Sequence, residues 1–217
     1  SMKRGRDEQA HIARLPFSCS RVVGPMVGAS DLAFRLLCRR HGTDMCSTEM
    51  LFSDRIVNEP GYLSRKLVTC AADRPLVLQM QGNNAATVAV ACKRVEATGA
   101  CDAIDLNLGC PLPQAQEHCF GAFLLDRKHW PTVMAMVAAM TTAVSLPIAC
   151  KIRLLDSVDE TIELCRELEA SGCALIAVHG RRRPPAHRHR GQRSSEPADL
   201  DAIARIDAAV NVHVLAN

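Results

Sequence analysis

The sequence predicts an α/β protein of the (β/α)8 TIM-barrel type from three observations. Short apolar, β-branched runs recur along the chain, helical stretches lie between most of them, and nearly every run ends in a polar side chain. Strands that alternate with helices form parallel sheets. In a barrel the carboxyl ends of all strands meet at one mouth, which holds the active site, whereas a doubly wound sheet uses one crevice beside a glycine-rich turn. The chain contains no G-x-G-x-x-G or P-loop motif, so the pattern favours the barrel.

The predicted elements follow from hydrophobic periodicity and from helix start and stop signals. Helices are expected where a capping residue opens a 3.6-residue pattern and a glycine closes it, as Gly42, Gly99 and Gly172 do. The predicted helices cover 31–41, 84–98, 130–143 and 156–171. The predicted strands cover 21–27, 44–50, 75–80, 103–108, 147–154, 174–178 and 211–216.

The strand count bears on domain organisation. A barrel of this type needs eight strands and typically about 250 residues, but the 217-residue chain supplies seven predicted strands. The expectation is one catalytic domain over 21–217, truncated after the seventh strand and lacking part of the usual phosphate site. Residues 1–20 are expected to be an N-terminal extension that opens with a cloning remnant, Ser1-Met2.

Composition sets limits on function. Hydrophobic residues make up 48% and charged residues 23%, values typical of a soluble globular protein, and the net charge of +3 does not by itself indicate nucleic-acid binding. No apolar run approaches the roughly 18 residues of a membrane span. None of the eleven cysteines stands in a Cys-x-x-Cys pair, so neither a metal site nor a redox pair is predicted. Most lie in apolar runs, which indicates buried thiols in a reducing compartment, cytosolic or nuclear.

The most informative segment is Asn107-Leu108-Gly109-Cys110-Pro111, directly after an apolar run. A cysteine on a rigid turn at a strand end is positioned for chemistry, as a nucleophile or as a proton donor. An ordinary thiol has a pKa of about 8.5, so it is mostly protonated near neutrality and can donate. The alternative is a structural cysteine in an apolar neighbourhood.

Polar residues at the other strand ends are the candidates for ligand binding. Lys151 ends an apolar run, where a cation is costly unless it is paired, and Gln79 can both donate and accept hydrogen bonds. Glu49 and Arg153 leave two interpretations open, a place in the mouth or a buried Glu–Arg pair that supports the barrel.

Six motifs, in order and spacing, resemble the tRNA-dihydrouridine synthases from about residue 21 onward. They are Gly24-Pro25-Met26-Val27-Gly28, Ser47-Thr48-Glu49-Met50, Pro75-Leu76-Val77-Leu78-Gln79, Asp105 to Pro111, Cys150-Lys151-Ile152-Arg153 and Val178-His179-Gly180-Arg181. Within the family the chain is most similar to the eukaryotic branch that acts on D-loop positions 16/17, because Gly121-Ala122-Phe123-Leu124 follows the cysteine motif.

The resemblance implies an FMN-dependent enzyme that reduces the C5–C6 bond of a tRNA uridine, with NADPH as the source of electrons. Hydride would come from the flavin to C6, and Cys110 would protonate C5. The resemblance further implies cofactor contacts by Gly24, Pro25, Met26, Gln79, Asn107, Lys151, His179 and Asn217, with the lysine at the N1/O2 edge of the flavin.

A basic segment follows the predicted strand at 174–178. Residues 181–193 hold six arginines and two histidines, and they begin with Arg181, Arg182 and Arg183. Arginine suits bidentate phosphate contacts, so these three residues are predicted to bind RNA; a solvated basic loop is the alternative. Two other functions stay open: an FMN-dependent reductase of a free pyrimidine or enone, and a catalytically impaired RNA-binding fragment.

Overall fold

The computed structural model describes residue 17 and residues 19–184 and 197–217. Its strands all belong to one parallel sheet: β1 (Val22–Val23), β2 (Met45–Ser47), β3 (Leu51–Phe52), β4 (Leu76–Gln81), β5 (Ala103–Leu108), β6 (Ile148–Leu154), β7 (Leu175–Arg182) and β8 (His213–Ala216). The hydrogen-bonded order is β1-β2-β4-β5-β6-β7-β8, and β3 lies beside β4. This path contains the seven predicted strands in sequence order.

The sheet curls into an incomplete barrel. An interior cavity of about 360 Å³ is lined by residues from all seven strands of the path, from Val22 in β1 to Leu215 in β8. None of the pairings among the described strands joins β8 to β1. The architecture therefore confirms the expectation of a barrel-type fold with an open edge.

Three predicted strands differ from the structure, and one of them, 174–178, continues in β7 to Arg182 because its pairing with β6 extends to that residue. The run 21–27 forms a strand only over Val22–Val23, and the run 44–50 leaves the strand conformation after Ser47. At the break, the Thr48 hydroxyl accepts a hydrogen bond from the backbone N–H of Gln79 at 3.1 Å, and pairing with β4 resumes at Leu51. A side-chain acceptor thus replaces a ladder hydrogen bond, which hydrophobic patterning does not reveal.

Helices fill the connections: α1 (Leu32–Arg40), α2 (Ser53–Asn58), α3 (Tyr62–Lys66), α4 (Ala85–Glu96), α5 (Pro113–Glu117), α6 (Trp130–Ala143), α7 (Val158–Ala170) and α8 (Leu200–Asp207). The four predicted helices correspond to α1, α4, α6 and α7. Asp31, Asn84 and Ser157 cap three of them by accepting hydrogen bonds from backbone N–H groups of the first turn. The other four helices have five to eight residues and were not predicted, because one or two turns carry little periodic signal. Across the described residues, no helix is long and apolar enough to cross a membrane.

Side-chain alternation separates two faces of the sheet. Along β5, Ile104, Leu106 and Leu108 are buried in the large core between the sheet and the helices. The intervening Asp105 and Asn107 instead border the cavities of the barrel interior and mouth. The same period of two operates in β4, β6 and β7, as expected for strands whose faces meet different environments. The outward apolar side chains of these strands therefore pack against the helices, and the polar side chains of the same strands face the barrel interior.

The cysteines are mainly packing residues, as predicted. All eleven are free thiols, and six of them are fully buried in the core: Cys46, Cys92, Cys101, Cys150, Cys165 and Cys173.

A buried ion pair ties α1 to the loop before β4. Asp73 is fully buried and accepts hydrogen bonds from Arg35 Nε and Nη2 at 3.0 and 2.7 Å and from Arg39 Nε at 3.3 Å. The Arg35 side chain, itself 3% exposed, also donates to the Ser30 and Val68 carbonyl oxygens. All three guanidinium nitrogens thus donate hydrogen bonds, and removal of the carboxylate would leave a buried cation without its counter-charge.

We predict that Asp73→Ala lowers the free energy of unfolding by about 3–5 kcal/mol, because removing the carboxylate of a buried ion pair leaves the arginine charge buried without a partner of opposite charge. Urea denaturation followed by circular dichroism measures the change. The matched control is Glu163→Ala, which removes an ion pair between Glu163 and Arg127 at the surface and is expected to leave the midpoint unchanged. Equal effects of the two substitutions would contradict a special role for the buried pair.

Candidate active site

The predicted site residues converge on one cavity at the carboxyl ends of the strands. This cavity, hereafter the mouth cavity, has a volume of about 380 Å³. Its lining contains all nine predicted catalytic and cofactor residues, namely Gly24, Pro25, Met26, Gln79, Asn107, Cys110, Lys151, His179 and Asn217. Residues from both ends of the described chain thus meet at the place where a barrel carries its active site.

The turn that carries Cys110 is fixed by the side chain of Asn107. The Asn107 Oδ1 atom accepts hydrogen bonds from the backbone N–H groups of Gly109 at 3.1 Å and Cys110 at 3.0 Å. This caps the end of β5 and directs the chain into the turn, as Asx side chains commonly do.

Gly121 packs against the back of the same turn. A Cβ atom at this position would lie 2.7 Å from the Cys110 carbonyl oxygen and 2.9 Å from Cys110 Cβ, and the backbone φ of +62° also favours glycine. The neighbouring Ala122 N–H donates to the Cys110 carbonyl oxygen at 3.0 Å. Close backbone approach on this side therefore sets the position of the thiol.

Arg153 completes the support of the turn. Its Nε donates to the Gly109 carbonyl oxygen at 2.6 Å, and its Nη1 donates to the Arg182 carbonyl oxygen at 3.4 Å, while the side chain also lines the mouth cavity. Glu49 has different partners, because its carboxylate accepts from Lys66 Nζ at 2.8 Å and from the Gly28 N–H at 3.2 Å. Of the two interpretations left open, the structure therefore places Arg153 in the mouth and pairs Glu49 with Lys66.

Three buried side chains form a hydrogen-bonded row beneath the mouth cavity. Gln79 Nε2 donates to Asp105 Oδ2 at 2.7 Å, and Asn107 Nδ2 donates to Gln79 Oε1 at 2.8 Å. The other oxygen of Asp105, Oδ1, is buried and has no hydrogen-bond partner among the described residues. The sequence interpretation omitted Asp105, although its place on the same strand face as Asn107 could have indicated it.

Burial changes the charge behaviour of Lys151 and Asp105. Burial lowers the pKa of Lys151 to about 8, a shift that the negative charge of Asp105 partly opposes. Burial raises the pKa of Asp105 to about 6, opposed by the hydrogen bond from Gln79 and by the charge of Lys151. The Lys151 Nζ donates to Asn217 Oδ1 at 2.6 Å, which connects β6 to the end of β8.

Cys110 and His179 are both held in their neutral forms. Burial raises the pKa of the Cys110 thiol, although a backbone hydrogen bond at Leu112 and the positive charge of Arg153 act in the opposite direction. Burial, together with the positive charges of Arg153 and Lys151, lowers the pKa of His179 to about 4. Near neutrality the site therefore offers a protonated thiol and an uncharged imidazole.

The predicted RNA-binding arginines lie at the end of β7, beside the mouth cavity. Arg183 Nη1 donates to the Ala122 carbonyl oxygen at 3.0 Å, its guanidinium lies 4.8 Å from the centre of the Phe123 ring, and it forms an ion pair with Asp126 at 3.2 Å. It therefore links β7 to the segment behind the Cys110 turn. Arg181 and Arg182 belong to β7, and the rest of the basic segment, 185–193, lies outside the described residues.

The chemistry available at this site is acid–base and polar binding chemistry. The side chains lining the mouth cavity include two cations, amide groups, a thiol and an imidazole, and within the described residues no carboxylate lines it. Within the same residues, no group of three or more histidine, cysteine or acidic side chains is arranged to hold a metal ion. The arrangement thus suits an anionic ligand with carbonyl groups and a proton donor at its edge.

The chain is similar in sequence to proteins of one family. The family model described as dihydrouridine synthase (Dus) matches residues 21–217. A rat protein named as tRNA-dihydrouridine(16/17) synthase NAD(P)(+)-like is 38% identical over 198 residues, which cover 90% of this chain and 43% of the rat protein. The fission yeast tRNA-dihydrouridine(16/17) synthase is 34% identical over 82% of this chain and 43% of its own length.

The comparisons extend to a second specificity and to a solved structure. The budding yeast tRNA-dihydrouridine(20a/20b) synthase is 35% identical over 90% of this chain and 52% of that protein. A crystal structure of phosphonopyruvate hydrolase with oxalate and Mg²⁺ superimposes with a TM-score of 0.56 at 14% identity, over 90% of this chain and 66% of that one. That likeness concerns the fold alone. The chain spans about half the length, or less, of each of these three dihydrouridine synthase relatives. The family match over 21–217 shows that the chain belongs to the dihydrouridine synthase family.

Proposed function

We propose that residues 21–217 form the catalytic domain of an FMN-dependent tRNA-dihydrouridine synthase of the 16/17 type. It reduces the C5–C6 bond of a D-loop uridine, with NADPH as the source of electrons. The observation that carries the proposal is the Cys110 thiol, held on a rigid turn at the edge of a cavity that also presents Lys151, Gln79 and His179. The 16/17 assignment is supported by the cysteine motif with 121–124 and by the names of the rat and fission yeast relatives.

The lining of the mouth cavity fits a flavin phosphate ester. Lys151 supplies a cation beside the amide groups of Gln79 and Asn107, a combination that suits the carbonyl-bearing pyrimidine edge of a flavin. Arg153 adds a second positive charge, and among the described residues the lining contains no carboxylate that would repel the phosphate. Pro25 and Met26, which follow β1, offer an apolar surface for the ring.

Cys110 acts in this mechanism as the general acid. FMN held by Lys151, Gln79 and Asn107 would supply the hydride for C6 of the uracil, with NADPH as the source of the electrons. The S–H bond of Cys110 breaks as the C5–H bond forms, and the thiolate regains a proton from solvent. Burial keeps the thiol protonated beforehand, and the positive charge of Arg153 stabilises the thiolate afterwards.

Lys151 and His179 have different electrostatic tasks. The ammonium group of Lys151 would lie beside the flavin ring and would stabilise negative charge there. The uncharged imidazole of His179 offers a hydrogen bond, not a charge, to the ribityl or phosphate part of the cofactor.

The substrate of this activity is tRNA, and its phosphates are proposed to contact Arg181 and Arg182 at the end of β7. These residues lie two and three positions after His179, so RNA bound there would reach the mouth cavity. The eleven free cysteines support a location in a reducing compartment, the cytosol or the nucleus.

We predict that Cys110→Ala lowers the rate of dihydrouridine formation by about 10²- to 10⁴-fold, because a positioned general acid contributes that much. Mass spectrometry of an unmodified tRNA transcript, incubated with the protein, FMN and NADPH, measures the product. Flavin content is expected to stay unchanged. Cys70→Ala, at an exposed cysteine, is the control with normal activity. Full activity of Cys110→Ala would remove Cys110 as the acid.

We predict that the affinity for FMN falls as the pH rises through about 8. Lys151 has a lowered pKa, so it is charged below about pH 8 and loses its attraction for the anionic cofactor above it. Fluorescence quenching of FMN between about pH 6.5 and 9.5 brackets that pKa and measures the dissociation constant. Lys151→Met is expected to bind weakly with little dependence on pH, whereas Lys151→Arg keeps its charge throughout. A pH dependence that persists in Lys151→Met would assign the effect to another group.

We predict that the double substitution of Arg181 and Arg182 by Gln weakens tRNA binding and lowers its salt dependence. Each lost phosphate contact reduces the slope of log K against log salt concentration by roughly 0.7–0.9. Filter binding between about 50 and 200 mM KCl measures the slope. Arg205→Gln, on α8, removes one positive charge from an exposed pair with Asp159 and is the control. An unchanged slope in the double variant would mean that these arginines do not contact RNA.

A further inference from the structure

In the row of buried side chains beneath the mouth cavity, all hydrogen bonds are donated in one direction, from Asn107 to Gln79 and from Gln79 to Asp105. Gln79 and Asp105 lie opposite each other in the register of β4 and β5, and Asn107 follows on the same face of β5. Gln79, Asp105 and Asn107 are 1%, 5% and 9% exposed, so each of their polar groups needs a partner inside the protein or on a ligand.

At the Asn107 end, the row meets backbone N–H groups, which can only donate hydrogen bonds. The backbone N–H groups of Gly109 and Cys110 point at Asn107, so the oxygen of that amide must face them. The Asn107 nitrogen then faces Gln79, whose oxygen must accept, and the Gln79 nitrogen is left facing Asp105. Only an acceptor at position 105 is compatible with this sequence of donors, and an ionised carboxylate is solely an acceptor.

We propose that Asp105 is a positioning residue that holds the Gln79 amide in the direction set by Asn107, so that both amides present N–H donors to a carbonyl-bearing ligand in the mouth cavity. Each amide nitrogen carries two hydrogens, of which one is used within the row. Both amide oxygens are already engaged, one by Asn107 and the other by the Cys110 turn. Each amide therefore keeps an N–H donor for a ligand, and the matching ligand atoms are carbonyl oxygens such as those of a flavin or a uracil.

One oxygen of Asp105 has no hydrogen-bond partner in the described part of the chain, which supports a functional reason for this residue. A buried carboxyl group with one oxygen lacking a protein partner lowers stability relative to an apolar residue of similar size. An asparagine could supply the same acceptor, and a leucine could fill the same space. The two substitutions therefore separate the role of the acceptor from the role of the side-chain volume.

Four variants test the inference in the 217-residue chain: Asp105→Asn, Asp105→Leu, Gln79→Glu, and the double variant Gln79→Glu with Asp105→Asn. The measurements are the dissociation constant for FMN by fluorescence quenching and the melting temperature without ligand, both at about pH 8, where a carboxyl group with the raised pKa of Asp105 is ionised. The identity of the ligand rests on the proposed function, whereas the direction of the row does not.

Both substitutions remove the negative charge that favours the charged form of Lys151, so the two variants are compared with each other. The amide oxygen of Asp105→Asn still accepts a hydrogen bond from Gln79, whereas Asp105→Leu leaves the Gln79 amide without its acceptor. Asp105→Leu is therefore expected to bind FMN about tenfold more weakly than Asp105→Asn, which corresponds to roughly 1.4 kcal/mol. Equal affinities of these two variants would overturn the positioning role, because volume alone would then account for residue 105.

The double variant, which exchanges the amide and the carboxylate between positions 79 and 105, separates effects on folding from effects on ligand binding. Gln79→Glu places two carboxylates against each other and is expected to lower the melting temperature by roughly 3–10 °C. In the double variant the amide introduced at position 105 donates to the carboxylate introduced at position 79, so the melting temperature recovers. FMN affinity stays low, because position 79 no longer offers an N–H group.

Failure of the melting temperature to recover would overturn the proposed direction of the row, and recovery of FMN affinity would overturn the donor role of Gln79. If the unmodified chain binds no FMN, the proposed cofactor is wrong. The melting temperatures of Gln79→Glu and the double variant then still decide whether Asp105 accepts from the Gln79 amide in the proposed direction.

Discussion

Side-chain alternation along parallel strands is the constraint on which the structure depends. In β5 the even-numbered positions, such as Ile104 and Leu106, pack against the helices, and the odd-numbered positions, such as Asp105 and Asn107, face the interior. Because the strands are parallel and in register, their inward polar residues form a layer near the carboxyl ends. A shift of one residue in any strand would exchange its core side chains for its functional ones. Packing and site geometry are therefore specified by the same pairing.

Enclosure by the strands gives the site its electrostatic character. Taking polar groups out of water favours the uncharged forms, so the pKa values of Cys110 and Asp105 rise while those of Lys151 and His179 fall. Asp105 and Lys151 oppose each other's shifts, which keeps a charged lysine available near neutrality. Burial thus gives one cavity a protonated thiol at Cys110, a neutral imidazole at His179 and, at Lys151, a cation whose charge depends on pH near neutrality.

The thiol is held by contacts from several independent elements. Asn107 on β5 and Arg153 on β6 both form hydrogen bonds to the turn that carries Cys110. Gly121 packs against the back of this turn, and Arg183 connects that segment to β7. A general acid is effective only when its proton lies within reach of the reacting atom, so rigid support of this kind has a direct chemical purpose. The support comes largely from backbone atoms and amide groups, which leaves Cys110 at the lining of the mouth cavity.

The sequence by itself determined the fold class, the order of the seven main strands and the four longer helices, because periodicity, caps and strand-end residues are local signals. The family resemblance of its motifs supplied the residues that meet at the mouth. The sequence did not determine the break after Ser47, the partner of Glu49 or the place of Asp105 in the hydrogen-bonded row. These features depend on register and on contacts between residues far apart in the chain, such as Gln79 with Asp105 and Gly109 with Arg153. Only the tertiary structure decided them, since a single sequence fixes which groups need partners but not which partners come within reach.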